Sequence, residues 1–372
     1  MLAVRIKKVT EALCLTTHCN MYLNHINFET VTDYKEEKQM SKAKVSCDYF
    51  NNKRDYPKWP NYSLKCHLDI SKRDFLKYAI LNGRYNNNIM SGTAQTFYSS
   101  ICQMAVKKDR GFWTLSDDYK YAEDTYKAAI SFAMGMLATR VIANKIYNVS
   151  RLYHFKEKRF KAGHEKSRLS PDWFGVDQQM HPFLFESKGT VKKKIALQTI
   201  NHAANQLSNV RMITDTSSNK QYCITNKHII CSCFDFCNNV NKVWCIHDID
   251  PIDPIESEDD KFYINIDEEC FLYYDAFIKY VESLEVDCEP MLIDEQDYCC
   301  WVYDNEKYCI LGAIYNLVKS KEYNEKNEYR NFNDSVNKRL SKIKNLERIL
   351  PDASSYEDGI IICNPNIKPD NN

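Results

Sequence analysis

Glycine is scarce in this chain, and several common catalytic motifs are missing. Only nine of the 372 residues are glycine, and no G-x-x-x-x-G-K-[ST], G-x-G-x-x-G, G-x-S-x-G or H-E-x-x-H sequence occurs. A loop that wraps the phosphates of a nucleotide needs glycines at fixed spacing. The chain is therefore not expected to be a P-loop or dinucleotide-binding enzyme. The absence of G-x-S-x-G argues against an α/β-hydrolase, and the absence of H-E-x-x-H argues against a zinc metalloprotease of that type.

Long apolar segments are also missing. The longest apolar stretch, 128–138, is too short to span a bilayer and is soon followed by Arg140. No secretory signal is expected in residues 1–20, because no continuously apolar run there is longer than four residues. We therefore expect a cytoplasmic protein that does not bind membranes. In that compartment its sixteen cysteines should stay reduced.

The chain has no net charge, because 50 lysine and arginine residues balance 50 acidic ones. Its hydrophobic fraction of 44% is enough for a sizeable core, and its length suits two or three domains. We predict an N-terminal accessory region over 1–110, an α/β core over 111–255 and a mostly helical C-terminal region over 256–372. The acidic, proline-containing segment 248–260 is the expected linker before the last region.

Three polar residues between 171 and 189 carry the strongest chemical signal: Asp172, Glu186 and Lys188. Side chains along a strand alternate between its two faces. Glu186 and Lys188 should therefore share one face with Leu184, while the phenylalanines on either side of Leu184 occupy the other. Asp172 opens the preceding strand, and a turn joins the two strands. Two acids beside a lysine suit a divalent metal ion that activates water for attack on a phosphate.

These residues resemble the signature of the PD-(D/E)xK superfamily of metal-dependent nucleases, which has the restriction-endonuclease-like fold. The resemblance spans about 115–255 and rests on Pro171-Asp172 and Glu186-Ser187-Lys188. It implies that Asp172 and Glu186 hold Mg2+ or Mn2+, and that Lys188 orients water or stabilises the phosphate in the transition state. It also implies an α/β core of three layers: a helix, a mixed central sheet of about four strands, and a second helix.

An amphipathic helix follows the Glu186-Ser187-Lys188 sequence. Its apolar stripe comprises Ala196, Ile200, Ala203, Leu207 and Val210. Members of the superfamily often carry a glutamine on this helix, near the catalytic residues. At about 100° per residue, Gln206 lies beside the stripe and Gln198 nearly opposite it. The resemblance therefore implies Gln206 in the site, and Gln198 at solvent or nucleic acid.

A long helix is predicted upstream, over 121–147. Glu123 falls in register with the apolar positions Ile130 and Met134 of that helix. A buried carboxylate is costly unless a metal ion or another cation compensates it. The superfamily frequently places a further metal ligand on its first helix. Glu123 is therefore either a third metal ligand or a solvated residue of the first turn, favoured there by the helix dipole.

Basic residues are concentrated around the three polar residues. The segment 151–168 contains seven lysines and arginines against two glutamates, and three consecutive lysines follow at 192–194. A basic stretch beside metal-binding acids suits a phosphate backbone. The predicted nucleic-acid contacts are Lys158, Arg159, Lys161, Lys192, Lys193, Lys194 and Gln198. The alternative is a solvated basic surface.

The sixteen cysteines also raise a zinc or thiol interpretation. The densest group of histidine and cysteine residues comprises His228, Cys231, Cys233, Cys237, Cys245 and His247. The paired CxxC knuckles typical of structural zinc sites are missing. Cys231 and Cys233 instead fit the two-residue period of a strand, in which cysteine packs as a small hydrophobic residue.

Taken with the resemblance, these patterns predict a Mg2+- or Mn2+-dependent phosphodiesterase that acts on nucleic acid, with DNA as the expected substrate. A nuclease core with unmatched flanks is typical of restriction and anti-phage defence proteins, so a homodimer or a defence-system partner protein is expected. Two other classes stay open. One is a catalytically silent nucleic-acid-binding module of the same fold. The other is an interaction protein regulated by zinc or thiols.

Overall fold

Strands and helices alternate along most of the chain. The structure is a computed structural model that describes residues 41–49, 66–82, 92–155, 161–162, 170–208, 210–237, 240–251, 260–320, 329–343, 346, 350 and 353–366. Within these residues the strands are β1 Ser41–Tyr49, β2 Cys66–Ile70, β3 Val106–Asp109, β4 Phe112–Leu115, β5 Leu152–His154, β6 Lys161–Ala162, β7 Trp173–Val176, β8 Pro182–Gly189, β9 Val210–Asp215, β10 Gln221–Cys223, β11 Asn226–Cys237, β12 Val240–Asp250, β13 Asp260–Ile264, β14 Glu289–Ile293, β15 Gln296–Tyr303, β16 Glu306–Leu311 and β17 Ile360–Cys363.

The helices provide the layers around these strands. Within the same residues they are α1 Lys72–Asn82, α2 Gly92–Ala105, α3 Asp117–Tyr121, α4 Asp124–Lys145, α5 Leu197–Ser208, α6 Ile266–Glu282, α7 Gly312–Lys319 and α8 Phe332–Leu340. The protein is thus of the mixed α/β class, as predicted. None of these helices combines the length and the apolar character needed to cross a bilayer.

The largest sheet in the described part of the chain has nine strands, more than the four or so expected. Its order is β2-β1-β4-β12-β11-β8-β7-β5, and β3 pairs with β4 at the side. β8 and β11 are parallel, whereas β7 lies antiparallel to both β8 and β5. The sheet is therefore mixed. The two strands predicted to carry the acids, β7 and β8, are neighbours within it.

Helices α4 and α5 cover opposite faces of β8. Phe183 and Phe185 belong to the same buried core as Leu137 of α4. Leu184 belongs to a different core, together with Leu207 of α5. The alternation of side chains along β8 therefore places alternate residues under different helices. This arrangement gives the three layers of helix, sheet and helix at the strands that carry the candidate site.

Two smaller sheets complete the described structure. The first, of order β10-β9-β13-β6, adds residues such as Ile213 and Phe262 to the core beneath α5. The second is the antiparallel sheet β14-β15-β16-β17. It shares a core with α6, through side chains such as Phe277 and Ile310.

The domain boundaries differ from the prediction. Residues 40–372 form one compact unit, so no division falls at 110 or 255. The predicted accessory region supplies β1, which lies parallel to β12 in the central sheet. The predicted linker ends in β13, which pairs with β9. The C-terminal region is also not mostly helical, because it contains the four-stranded sheet β14–β17.

Candidate active site

The candidate site lies on the α5 side of β8, near the end of the strand. Leu184 on this face is fully buried in the core under α5. Glu186 and Lys188 follow on the same face, because they are two and four residues further along the strand. Glu186 is completely buried, and the Lys188 side chain is 18% exposed. The expected sharing of one face is thus borne out by the packing.

Asp172 is bound to the main chain on both sides of Glu186. Its N–H donates to the carbonyl of Phe185 at 3.2 Å. Its carboxylate Oδ2 accepts the N–H of Ser187 at 2.9 Å. In the β7–β8 register Trp173 pairs with Phe185, so Asp172 comes opposite Glu186 at the next position. Side chains opposite each other on adjacent strands have Cβ atoms about 4.5–5.5 Å apart. The two buried acids are therefore neighbours.

Lys188 connects this acidic pair to helix α5. Its Nζ forms an ion pair with Glu186 Oε1 and lies 3.4 Å from Gln206 Oε1. The amide nitrogen of Gln206 donates to the carbonyl of Ser170 at 2.9 Å. That bond orients the amide so that its oxygen points to Lys188. Gln206 therefore holds the lysine on one side and the chain just before Asp172 on the other.

Ser187, which lies between Glu186 and Lys188, anchors β8 to β7 and α4. The Ser187 hydroxyl accepts a hydrogen bond from Trp173 Nε1 at 3.0 Å and is hydrogen-bonded to Thr139 Oγ1 of α4 at 2.7 Å. This chain of bonds joins β7, β8 and α4. Because Ser187 faces away from the acids, its role is to fix the strand that presents them.

Close main-chain contact holds the end of β8 against α4. A Cβ atom on Gly189 would lie 1.8 Å from the carbonyl oxygen of Ser131. A Cβ atom on Gly135, inside α4, would lie 2.9 Å from the carbonyl carbon of Lys188. Glycine inside a helix costs roughly 0.5–1 kcal/mol relative to alanine. A glycine in the middle of a helix, such as Gly135, is therefore a sequence signal for close main-chain contact of this kind.

Strand β11 forms one wall of the site with uncharged residues. In the parallel β8–β11 pair, Ile229 aligns with Glu186 and Cys231 with Lys188. Both wall residues are fully buried. Burial raises the pKa of the Cys231 thiol, which therefore stays protonated at neutral pH. An apolar wall of this kind strengthens electrostatic interactions inside the site.

The donor atoms of the site suit a divalent cation. Two carboxylates lie next to each other in a largely buried position, and like charges so placed repel each other. Carboxylate oxygens are the donors that Mg2+ and Mn2+ prefer. The described residues contain no group of three or more His, Cys, Asp or Glu side chains that could hold a metal ion. Mg2+ is commonly held by only one or two carboxylates together with waters and substrate phosphates, so the donor set fits it.

Glu123 is not on the buried face of α4, and of its two predicted roles the structure fits the solvated one. It is the exposed N-cap residue of α4, which begins at Asp124. The Thr125 hydroxyl donates to its carboxylate at 3.4 Å. Tyr126, one turn before Ile130, is 50% exposed. In addition, α4 packs on the face of β8 opposite the acids, so the structure does not bring Glu123 to Asp172 and Glu186.

The predicted nucleic-acid contacts are only partly within the described residues. Lys192, Lys193 and Lys194 are exposed directly after β8, and Lys193 pairs with Asp235 at 3.1 Å. Gln198 is exposed on α5. Lys158, Arg159 and the side chain of Lys161 lie outside the described residues. Phe155 and Ser170, which come before and after these three residues in the chain, contact the site. The N–H of Phe155 donates to the carbonyl of Asp172 at 2.8 Å, and the carbonyl of Ser170 accepts from Gln206.

The histidine and cysteine residues considered for zinc serve the central sheet instead. Cys233 and Cys245 are fully buried and opposite each other in the β11–β12 pair. His228 Nδ1 lies 3.0 Å from Asp248 Oδ1, and the Tyr147 hydroxyl donates to Asp248 Oδ2 at 2.5 Å. Cys231, Cys233 and Cys245 are free thiols. The strand predicted for Cys231 and Cys233 is confirmed.

Comparison with known proteins yields no relative. No protein-family model, curated protein or solved structure matches this chain. The functional argument therefore rests on the residues and their geometry.

Proposed function

We propose that this protein is a metal-dependent nuclease that hydrolyses phosphodiester bonds in DNA. The observation that carries the proposal is the grouping of Asp172, Glu186 and Lys188 on one face of two adjacent strands, next to Gln206. The acids are buried, and the lysine side chain is partly exposed. Two carboxylates side by side in a buried position repel each other, and a divalent cation bound between them would offset that repulsion.

Asp172 and Glu186 are the residues that would hold Mg2+ or Mn2+. When bound, such an ion lowers the pKa of a coordinated water and offsets charge on the phosphate. Asp172 keeps one oxygen on the Ser187 N–H, which fixes the orientation of its carboxylate. Glu186 is held by the strand that Ser187 anchors. The protein thus supplies two preoriented oxygen donors at the end of β8.

Lys188 is assigned the task of orienting water or stabilising the charged phosphate. Its ammonium has three N–H donors, and the exposed part of its side chain gives it access to a substrate. Gln206 limits the positions of that ammonium from the α5 side. Removal of one preorganised donor that faces developing charge in a site of low dielectric typically raises the barrier by about 3–4 kcal/mol.

The order of elements around the site supports the resemblance to the PD-(D/E)xK superfamily. Helix α4 is followed by β5, β7 and β8, which are adjacent and antiparallel. Helix α5 then crosses the opposite face, and β11 lies parallel to β8. This is the layering of helix, mixed sheet and helix that the resemblance implies. On the same resemblance we propose a restriction or anti-phage defence role.

A substrate panel tests the proposal. Purified full-length protein is incubated with plasmid, linear duplex, single-stranded DNA and RNA, with Mg2+, with Mn2+ and with EDTA. We expect cleavage of DNA only with a divalent ion. Glu186→Ala should abolish cleavage, and Lys188→Ala should slow it by about 10²–10³-fold, while DNA binding is retained.

One control variant and two contrary outcomes make the panel decisive. Lys279→Ala removes an exposed lysine of α6 and should cleave like wild type. Equal activity of wild type, Glu186→Ala and Lys188→Ala on every substrate would refute the assignment. Binding of DNA without cleavage under any metal condition would favour the catalytically silent module instead.

A further inference from the structure

The chain segment after Glu186 is free of acids. Acidic residues make up 50 of the 372, yet none occurs in 187–214. The same segment contains Lys188, Arg211 and the lysines at 192–194. It forms the end of β8, all of α5 and most of β9. A phosphate backbone lying against this segment would meet no carboxylate from it.

Helix α5 has an outer face of uncharged hydrogen-bonding side chains. Gln198, Asn201, His202 and Asn205 are exposed and follow a helical spacing of three, one and three. We name these four residues the amide face. Asparagine and histidine are weak helix formers, costing roughly 0.7 kcal/mol each relative to alanine. Folding alone would favour lysine, glutamate or alanine at exposed helix positions.

The amide face begins beside the candidate active site. At about 100° per residue, His202 lies about 40° from Gln206 on the helix surface and one turn before it. Gln206 marks the border between the buried side of α5 and this face, because Ile200, Ala203 and Leu207 lie on its other side. A strand of nucleic acid bound at Lys188 would therefore pass directly onto the amide face.

The lysines at 192–194 precede α5 at its N-terminal end. All three are exposed, and Asp235 offsets the charge of Lys193. Cations next to neutral amides are suited to two different contacts. Lysines neutralise phosphates, whereas asparagine and glutamine donate to phosphate oxygens or pair with base edges.

We infer that the amide face, together with Lys192, Lys193 and Lys194, is the surface of this protein that holds nucleic acid across the active site. The inference rests on the proposed function and adds the surface that binds the substrate. The lysines supply the salt-dependent attraction to the backbone. The amide face supplies short-range hydrogen bonds that do not depend on counterion release.

Binding measurements at several salt concentrations test the inference. Wild-type full-length protein in EDTA is titrated against a labelled 30-bp DNA duplex, the single-stranded DNA of the same sequence and the matching RNA duplex. The triple variant Gln198→Ala/Asn201→Ala/Asn205→Ala should bind the preferred probe about tenfold or more weakly, with the salt slope unchanged. The variant Lys192→Ala/Lys193→Ala/Lys194→Ala should reduce the slope of log K against log salt by roughly 2–3.

Matched variants exclude general effects. Gln103→Ala changes an exposed glutamine of α2, and Lys319→Ala/Lys338→Ala/Lys342→Ala removes three exposed lysines from the C-terminal region. Both should bind like wild type. Because alanine is the strongest helix former, the α5 triple variant should keep its helix, which circular dichroism checks.

The outcomes separate this inference from the proposed function. Normal binding and normal Mg2+-dependent cleavage by the α5 triple variant would overturn the inference and leave the nuclease intact. Weaker binding of the α5 variant with an unchanged salt slope supports the inference. Failure of wild type both to bind and to cleave every probe would overturn both.

Discussion

Two ion pairs between lysine and a carboxylate lie in different regions of this protein, and their surroundings differ. Lys77 of α1 pairs with Asp358, just before β17, and the two side chains are 1% and 3% exposed. Lys77 Nζ also donates to the carbonyls of Ser355 at 2.6 Å and Ile360 at 2.8 Å. All three of its N–H donors therefore have acceptors.

Asp358 is equally well satisfied. Its Oδ1 accepts the Lys77 ammonium at 2.6 Å and the N–H of Ile360 at 3.1 Å. Its Oδ2 accepts the hydroxyl of Tyr273 at 2.6 Å. This pair joins the N-terminal part of the described chain to its C-terminal strand, with charges and hydrogen bonds complete.

The pair in the candidate site is arranged differently. Lys188 is 18% exposed, its contact with Gln206 is long at 3.4 Å, and a second carboxylate, Asp172, stands beside Glu186. In the first pair both side chains are buried, and the lysine and both carboxylate oxygens are hydrogen-bonded. In the second pair the lysine reaches solvent, and another carboxylate lies beside the first. A fully buried pair with complete hydrogen bonding is therefore a structural ion pair, whereas a partly exposed pair beside another carboxylate marks a place where a cation and a substrate can be accepted.

Breaking the structural pair should have the largest effect on stability. Asp358→Asn keeps the shape of the side chain but leaves the buried Lys77 ammonium without its counter-charge. Removing one partner of a buried pair typically costs about 3–5 kcal/mol. We expect a loss of that size in the free energy of unfolding, measured by urea denaturation.

An exposed pair provides the control for Asp358→Asn. Asp275 and Lys279 of α6 are bonded at 2.6 Å, with the lysine side chain 46% exposed. Asp275→Asn should cost less than about 1 kcal/mol, as surface pairs do. If Asp358→Asn and Asp275→Asn reduced the free energy of unfolding by the same amount, complete hydrogen bonding would not distinguish the Lys77–Asp358 pair from a surface pair.

The next largest effect should come from the main-chain contact that supports the candidate site. Gly189→Ala forces a methyl group against the carbonyl of Ser131, at 1.8 Å before any relaxation. Overpacking of this kind typically costs about 1–3 kcal/mol. We expect a comparable loss of stability by urea denaturation, together with reduced cleavage, because β8 must move away from α4.

Gly111→Ala is the matched control for this substitution. Gly111 has a φ of +77°, but a Cβ atom there would have no neighbour within 4 Å. Only backbone strain, about 1 kcal/mol, is expected, with cleavage unchanged. A Gly189→Ala protein with wild-type stability would show that the α4–β8 contact can relax freely.

The sequence predicted the candidate site better than the whole fold, for a physical reason. Alternation along β8 depends only on local backbone geometry, so the shared face of Glu186 and Lys188 followed from spacing alone. The helical period placed Gln206 beside the apolar stripe of its helix, and its place near the active site was implied by the resemblance. The register that brings Asp172 opposite Glu186 is also local, because a short turn joins the two strands.

The predictions that failed concern the pairing of strands far apart in the sequence and the ends of helices. The parallel pairing of β1 with β12 joins segments far apart in sequence, and no local pattern specifies it. The sequence therefore gave no sign that the N-terminal region completes the central sheet. Glu123 was misplaced because the predicted helix began three residues before Asp124, and the ends of helices are the least certain part of such predictions.

The smallest effect on stability is expected for the candidate site itself. Glu186→Gln keeps the shape of the side chain, removes one of the two neighbouring negative charges and leaves Asp172 in place. Because the Lys188 side chain can extend to water, its ammonium is not stranded as that of Lys77 would be. In metal-free buffer we expect the free energy of unfolding to change by less than about 1 kcal/mol.

Added Mg2+ should then separate this variant from wild type. A ligand present at ten times its Kd stabilises the folded state by about 1.4 kcal/mol, so wild type should unfold at higher urea concentration with Mg2+ than with EDTA. Glu186→Gln should lose that difference, and Asp275→Asn should keep it. If Glu186→Gln cost as much as Asp358→Asn in metal-free buffer, the acid would be structural, and the contrast between the two ion pairs would fail.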